Sequence, residues 1–147
     1  MKISALYTVV VVSAIHHFCA SERIDPLCDE YQRWEDEYKC GPKEYLIAYA
    51  KHYCYLFTEP DLVATFTPIG KKSVFCIRLC LLDRTQKYLS DKKAPFNATD
   101  CAELNRVEHV DFHPECYQEC GFCKLQPTDV GAALFKRLST AFCKKSN

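Results

Sequence analysis

Apolar side chains recur every three to four residues along most of this chain, a period typical of helices packed on one side. The clearest run lies within residues 42–57, at positions Leu46, Tyr49, Ala50, Tyr53, Cys54 and Phe57. Convincing two-residue alternation is absent, so no β-strand is predicted. The pattern predicts an all-α fold, a small helical bundle. The aromatic stripe then belongs to the core rather than to a stacking surface for bases or sugars.

Capping residues and prolines mark where the other helices begin. Asp25 precedes a proline, as does Thr67, and Asp100 with Glu103 resembles a capping box. Pro114 either kinks a helix or starts a new one. The remaining predicted helices cover residues 27–39, 69–82, a stretch through 104 and 107, a stretch carrying 116, 120 and 123, and 130–142.

The helix predicted over residues 69–82 is apolar around much of its girth. Its apolar side chains are Val74, Phe75, Ile77, Leu79, Leu81 and Leu82. A helix without a polar side is usually surrounded by other elements. We therefore expect this helix to be buried at the centre of the core.

The stretch from Cys116 to Cys123 places three cysteines within eight residues. Cys116 and Cys120 are four residues apart, as are Cys76 and Cys80. On a helix this spacing puts both side chains on one face, one turn apart. Two antiparallel helices could thus be joined by two rungs, Cys80 to Cys116 and Cys76 to Cys120. Many other connectivities are equally open, because spacing alone cannot select one.

Residues 1–20 have the pattern of a cleaved secretory signal peptide. Lys2 supplies the positive charge, an apolar run continues to residue 15, and small residues follow at 19–21. The run is too short for an ordinary transmembrane helix, although an uncleaved anchor is the alternative. Cleavage after Ala20 or Ser21 would leave a single disulfide-rich helical domain, residues 21–147. This domain is expected to be secreted and extracellular, without a membrane span.

Removal of the leader takes Cys19 with it, and 10 of the 11 cysteines remain. An even number in an oxidising compartment predicts five disulfides. Basic and acidic residues balance at 19 each, so no surface for nucleic acid is predicted. Asn97 opens an Asn-Ala-Thr sequon and is the predicted glycosylation site.

His109 and His113 are the only candidate metal ligands that the pattern suggests, with Glu108, Asp111 and Cys116 nearby. The glutamate that a zinc protease helix carries between its histidines is missing, and the cysteines are expected in disulfides. No metal or cofactor is therefore predicted. Nucleophile-elbow, phosphate-loop and dinucleotide motifs are also absent from the sequence. The prediction is a binding protein rather than an enzyme, with no catalytic residue.

Three stretches of the chain resemble the stanniocalcins, which are secreted disulfide-bonded glycoprotein hormones. They are Phe66–Phe75 running on to Cys80, Cys101 with Cys116-Tyr117 and Cys123, and Pro127–Phe142. The first is similar to the family's Phe-x-x-x-Gly-Lys-x-Phe-Val helix start, with Gly70 and Lys71 in the Gly-Lys positions. The second has the family's Cys-Tyr pair and the same gap to the next cysteine. The resemblance covers roughly residues 40–142.

The resemblance implies the disulfides Cys28–Cys54, Cys40–Cys101, Cys80–Cys116 and Cys123–Cys143. Cys76 and Cys120 are left over, and they are the partners that helix geometry proposes for the second rung. The family also implies hormone activity in calcium and phosphate homeostasis, or inhibition of pappalysin-type metalloproteinases. The partner would then be an extracellular receptor or protease. The family's region with the cysteine for a covalent dimer is not matched, so such a dimer is not expected.

Two other interpretations remain open. Cys-x-x-x-Cys-Gly-Phe-Cys is similar to the tail of ShK toxin-like domains, and the two Cys-x-x-x-Cys pairs are similar to helical-hairpin peptides. Either resemblance implies a secreted toxin or effector that acts on channels, and the ShK-like frame implies a Cys101–Cys123 disulfide. The enzymatic alternative, a small secreted hydrolase, rests on composition alone.

Overall fold

The structure is a computed structural model that describes residues 25–143, and every regular element in this range is helical. The α-helices are α1 (Pro26–Tyr38), α2 (His52–Leu56), α3 (Pro60–Ala64), α4 (Pro68–Ser90), α5 (Ala98–Val107), α6 (His113–Glu119), α7 (Pro127–Val130) and α8 (Ala132–Phe142). Two π-helical segments, Tyr45–Lys51 and Glu108–Phe112, run directly into α2 and α6, and a 3₁₀ turn covers Phe122–Lys124. The predicted all-α class is confirmed. The predicted signal peptide lies outside the described residues.

The starts of α1 and α4 are those that the capping pattern predicts. The Asp25 carboxylate accepts a hydrogen bond from the Leu27 backbone N–H at 3.0 Å. Thr67 caps α4 through a hydrogen bond from the Gly70 N–H at 3.3 Å. In both helices a proline occupies the first position, where no backbone N–H is needed.

The start of α5 corrects the prediction that Asp100 is the cap. Asn97 is the N-cap, and its Oδ1 accepts hydrogen bonds from the N–H groups of Thr99 at 2.8 Å and Asp100 at 3.0 Å. The Asp100 carboxylate in turn accepts from the Asn97 N–H at 3.1 Å. The capping box therefore lies three residues earlier than predicted, with Asp100 in the position given to Glu103.

The helix predicted over residues 130–142 is broken in two. Gly131 has a φ of 85°, a left-handed region that favours glycine, and it separates α7 from α8. Asp129 closes a capping box with Gln126 at the start of α7. The apolar stripe of the prediction survives in part, since Leu138 and Phe142 are buried.

Helix α4 joins two clusters of buried side chains. The first cluster contains Cys28, Tyr31, Trp34, Tyr38, Tyr45, Leu46, Ala50, Cys54, Leu82, Leu89 and Leu104. The second contains Phe66, Val74, Ile77, Tyr117, Phe122, Leu125, Val130, Leu138 and Phe142. The first half of α4 packs into the second cluster and its last half into the first. The helix is thus central, as predicted, and the aromatic stripe of residues 42–57 contributes to the core.

The prediction that α4 is buried around its girth is wrong on one side. Phe75 is 51% exposed and Leu79 is 41% exposed. These two residues are one turn apart and so share a side of the helix. Both side chains are therefore left partly open to solvent on that side of α4 within the described part of the chain.

Five disulfides cross-link the described helices. They join Cys28 to Cys54, Cys40 to Cys101, Cys76 to Cys120, Cys80 to Cys116 and Cys123 to Cys143. These are the pairs that the stanniocalcin resemblance and the helix geometry proposed. The Cys101–Cys123 bond of an ShK-like frame is not formed. Two of the five bonds are the predicted rungs, which fix α4 against α6.

Gly70 marks the closest approach of α4 to α7. A Cβ atom at this position would lie 2.1 Å from the carbonyl oxygen of Asp129 and 3.0 Å from Cγ1 of Val130. That carbonyl cannot easily move, because it accepts a hydrogen bond from the Thr67 N–H at 3.0 Å. The Asp129 carboxylate also accepts from the Thr67 hydroxyl at 2.7 Å. Only glycine fits here without displacing α7.

We expect Gly70→Ala to destabilise the fold by about 1–3 kcal/mol, the usual cost of overpacking. The direction of the change in unfolding free energy is informative, because helix propensity alone would make the alanine variant more stable by about 1 kcal/mol. Urea unfolding of the purified variant measures the change. Lys72→Ala, at an exposed position of the same helix, is the control and should change stability little. A more stable Gly70→Ala variant would contradict the close packing of α4 on α7.

Candidate functional site

The interior holds one fully buried carboxyl group, Glu108, among the described residues. Its Oε2 accepts a hydrogen bond from the Tyr45 hydroxyl at 2.8 Å, and its Oε1 contacts the Thr85 hydroxyl. Burial raises the pKa of Glu108 to about 7, because these hydrogen bonds offset the lost hydration only in part. Tyr45 and Glu108 are the first residues of the two π-helical segments, so their hydrogen bond joins the starts of these segments.

The Thr85 hydroxyl lies between two oxygen acceptors, the Leu81 carbonyl and the Glu108 carboxyl group. The Thr85 Oγ1 atom lies 2.7 Å from the Leu81 carbonyl oxygen and also contacts Glu108. A hydroxyl has only one proton to donate. If Glu108 carries a proton, it donates to Thr85 while Thr85 donates to Leu81, and both contacts are hydrogen bonds.

His113 lies one helical turn beyond Glu108 and is also buried. Its Nδ1 is 2.7 Å from the Glu108 backbone carbonyl, which can only accept, so Nδ1 carries a proton. The distance from Nδ1 to the Glu108 carboxyl is 4.0 Å. Burial lowers the pKa of His113 to about 4, so the imidazole is neutral at physiological pH.

The predicted metal candidates His109 and His113 pack as aromatic rings. Their ring centroids are 5.5 Å apart, and the His109 ring meets Tyr49 edge-on at 4.7 Å. Burial lowers the pKa of His109 as well. Across residues 25–143, no three or more His, Cys, Asp or Glu side chains are grouped so as to hold a metal ion.

A small cavity lies between these aromatic rings and α4. Its volume is about 50 Å³, and Tyr31, Tyr45, Tyr49, His113 and Arg78 are among the side chains that line it. This is room for about one or two water molecules, far below the several hundred Å³ of ordinary ligand sites. Tyr45, Glu108 and His113 therefore form an internal polar cluster, and the cavity beside it has no space for an organic substrate.

The surface offers a larger feature beside the exposed side of α4. We call Phe75 and Leu79 the apolar face. A groove of about 300 Å³ adjoins it, and Phe75 belongs to both. The groove is lined by Phe57, Thr58, Val63, Phe66, Lys71, Val74, Phe75 and Arg78. Its walls are mostly apolar, and its two charged residues are both cations.

Arg78 is held in place at this groove. Its Nη2 pairs with the Asp25 carboxylate at 2.6 Å and contacts Cys28 Sγ at 3.3 Å. Its Nε is buried and has no hydrogen-bond partner among the described residues. Asp25 and Cys28 therefore fix the Nη2 side of the guanidinium, while the buried Nε–H donates no hydrogen bond to a described residue.

The sequence-predicted residues lie in three separate places. The ten cysteines form the disulfides, Asn97 is an exposed helix cap, and of the two histidines His113 is buried and His109 half-buried. Sequence reasoning missed the apolar face and the role of Arg78. The Phe75-to-Leu79 spacing signalled only a shared side, and no local signal links Arg78 to a residue 53 positions away.

Among the described helices, none has the length and apolar character needed to cross a bilayer. No protein-family model, curated protein or solved structure matches this chain.

Proposed function

We propose that this protein is a secreted regulatory binding protein of the stanniocalcin type, which holds an extracellular protein partner against the apolar face of α4. The observation that carries the proposal is the exposure of Phe75 and Leu79, at 51% and 41%, on a helix fixed by two disulfide rungs. Large apolar side chains that share one side of a rigid helix are typical anchors for a partner. Because the helix is already rigid, binding loses little conformational entropy.

Extracellular location and glycosylation belong to the same proposal. Five disulfides within residues 25–143 are typical of a protein made in an oxidising compartment. Asn97 is exposed, and the hydrogen bonds of the helix cap use its Oδ1 atom. The amide nitrogen, to which a glycan is attached, is not used by the cap. A glycan at Asn97 is thus compatible with the capping box.

The charges around the apolar face define the partner further. Lys71 and Lys72 are exposed and lie one turn before Phe75 on α4. A partner surface that complements this side would have an apolar centre and an acidic edge. The stanniocalcin resemblance implies either a hormone receptor or a pappalysin-type metalloproteinase, and the metalloproteinase is the partner chosen for the first test.

The proposal is tested by inhibition of a pappalysin-type metalloproteinase acting on a protein substrate. We expect the purified wild-type protein to slow cleavage. Joint replacement Phe75→Asp and Leu79→Asp should raise the concentration for half-inhibition at least about tenfold, as for loss of a binding hot spot.

Val110→Asp is the matched control, since Val110 is an apolar residue with 52% exposure on a different segment. Its inhibition should equal that of the wild type, and melting curves should show that all variants are folded. If the wild-type protein does not inhibit, or if Val110→Asp loses as much as the double variant, the proposed function is wrong.

A further inference from the structure

The groove beside α4 has the size and walls of a small-ligand site. Its volume of about 300 Å³ lies at the lower end of the range for such sites. Five of its eight lining side chains are apolar: Phe57, Val63, Phe66, Val74 and Phe75. Phe66 and Val74 are buried and belong to the second core cluster, so this part of the groove wall is fixed by the core. An apolar chain or ring would exchange water for these walls.

The charges of the groove are all of one sign. Lys71 and Arg78 line it, and no acidic side chain is among its lining residues. Lys71 is exposed and forms no ion pair within the described part of the chain. Arg78 uses Nη2 for Asp25, while its Nε has no partner there. That Nε is buried, so the accessible unpaired cation at the edge of the apolar groove is the Lys71 ammonium, which favours an anionic head group.

We propose that this groove binds a small amphipathic carboxylate, such as a medium-chain fatty acid free in solution. The apolar tail would lie against Phe66 and Val74, and the carboxylate would pair with Lys71 near Arg78. A single groove of this volume suits one small molecule better than a peptide, which needs a longer row of pockets. The groove shares Phe75 with the apolar face, whereas Leu79, the other member of that face, does not line the groove.

Calorimetric titration of the purified protein with decanoate tests the proposal. We expect saturable binding of one molecule per chain, and no comparable binding of decyltrimethylammonium, which has the same tail with the opposite charge. Equal binding of the two amphiphiles would overturn the assignment, because the cations of the groove would then select nothing. Absence of decanoate binding would also overturn it.

Two neighbouring lysines provide a matched pair of variants. Lys71→Glu should weaken decanoate binding at least about tenfold, the effect of losing one charge-assisted hydrogen bond. Lys72→Glu changes the net charge equally, but Lys72 does not line the groove, so its affinity should stay near that of the wild type. Equal weakening in both variants would show that only overall charge matters, and would refute the site.

A filling variant provides a second and independent test. Val63→Trp should abolish decanoate binding by occupying the groove, with an unchanged melting curve because Val63 is only half-buried. Association with vesicles of anionic phospholipid but not with free decanoate would instead identify a membrane surface, contrary to the proposal. Val63→Trp changes neither the apolar face nor the two lysines assigned to the protein partner, so inhibition of the metalloproteinase can be measured separately in this variant.

Discussion

Replacing all four cysteines of the two rungs by alanine is expected to leave a chain that does not fold at 37 °C, whereas removal of either rung alone leaves a folded protein. The rungs close loops with sequence separations of 44 and 36 residues. Loop-closure entropy gives the first rung about 4 kcal/mol, and the second, nested inside it, about 2–3 kcal/mol. Their joint loss is about 6 kcal/mol, comparable with the whole stability of many domains.

Each rung is the control for the other. The variants Cys76→Ala with Cys120→Ala, and Cys80→Ala with Cys116→Ala, remove both partners of a rung and so leave no free thiol. Urea unfolding of these two proteins should show a loss of about 2–3 kcal/mol in each. The fourfold variant is assessed by secreted yield and circular dichroism. If the unfolding free energy of the fourfold variant stays within about 2 kcal/mol of the wild type, core packing rather than the two disulfide rungs holds α4 to α6.

Glu108→Gln is expected to turn a fold of nearly constant stability between pH 4.5 and 6.5 into an acid-labile one. In the folded protein the pKa of Glu108 is raised from 4.5 to about 7, and that of His113 is lowered from 6.5 to about 4. Within this window the folded pair binds one proton, on Glu108. The unfolded pair also binds one, on His113. The pH dependence of stability due to Glu108 and that due to His113 therefore cancel in the wild-type protein.

In Glu108→Gln, His113 is the member of the pair left to titrate, and the half-buried His109, whose pKa is also lowered, adds to the same slope. Below pH 6.5 the unfolded chain takes up a proton that the folded chain refuses until about pH 4. Stability is thus lost as the pH falls through this window, by about 3 kcal/mol in total. Glutamine can still accept from Tyr45 and donate to Thr85, so the packing of the cluster is preserved. Urea midpoints measured across the window give the slope.

The opposite slope is expected when His113 is replaced instead. In His113→Gln the raised pKa of Glu108 remains, so stability falls as the pH rises from 4.5 to about 7. The double variant should lose both of these opposed slopes and keep only the contribution of His109, which is the same in all four proteins. Parallel profiles for the two single variants would contradict the pairing of these groups in the interior.

Local signals in the sequence were sufficient for part of the fold. Asp25 and Thr67 specify helix starts through hydrogen bonds within three residues, so their role is readable without tertiary structure. The rung geometry is readable for the same reason, since four-residue spacing fixes a shared face. The π-helical segments were not predictable, because one extra residue per turn leaves no mark on composition. Gly131 interrupts the last predicted helix because its φ angle is positive. A glycine in the sequence allows a positive φ angle but does not require one.

The candidate site depended on information that periodicity does not contain. An apolar residue such as Phe75 or Leu79 looks the same whether or not an element covers it. Exposure is decided by the number and placement of the other helices, which a sequence pattern does not provide. Arg78 contacts Asp25, the N-cap of α1, across 53 positions, and no local sequence motif predicts this contact. In the sequence, Glu108 is recognisable only as a neighbour of the candidate metal ligand His109, whereas in the fold it is a buried acid with its own hydrogen-bond partners.

The disulfide pattern has a consequence for proteolysis. Residues 91–95, between α4 and α5, are all exposed and offer a protease an accessible stretch of backbone. Three disulfides bridge the halves of the chain on either side of it, Cys40–Cys101, Cys76–Cys120 and Cys80–Cys116. A cut in this stretch would release no fragment. The nicked molecule would persist as a two-chain protein of unchanged mass apart from one added water, and its two chains would separate only after reduction.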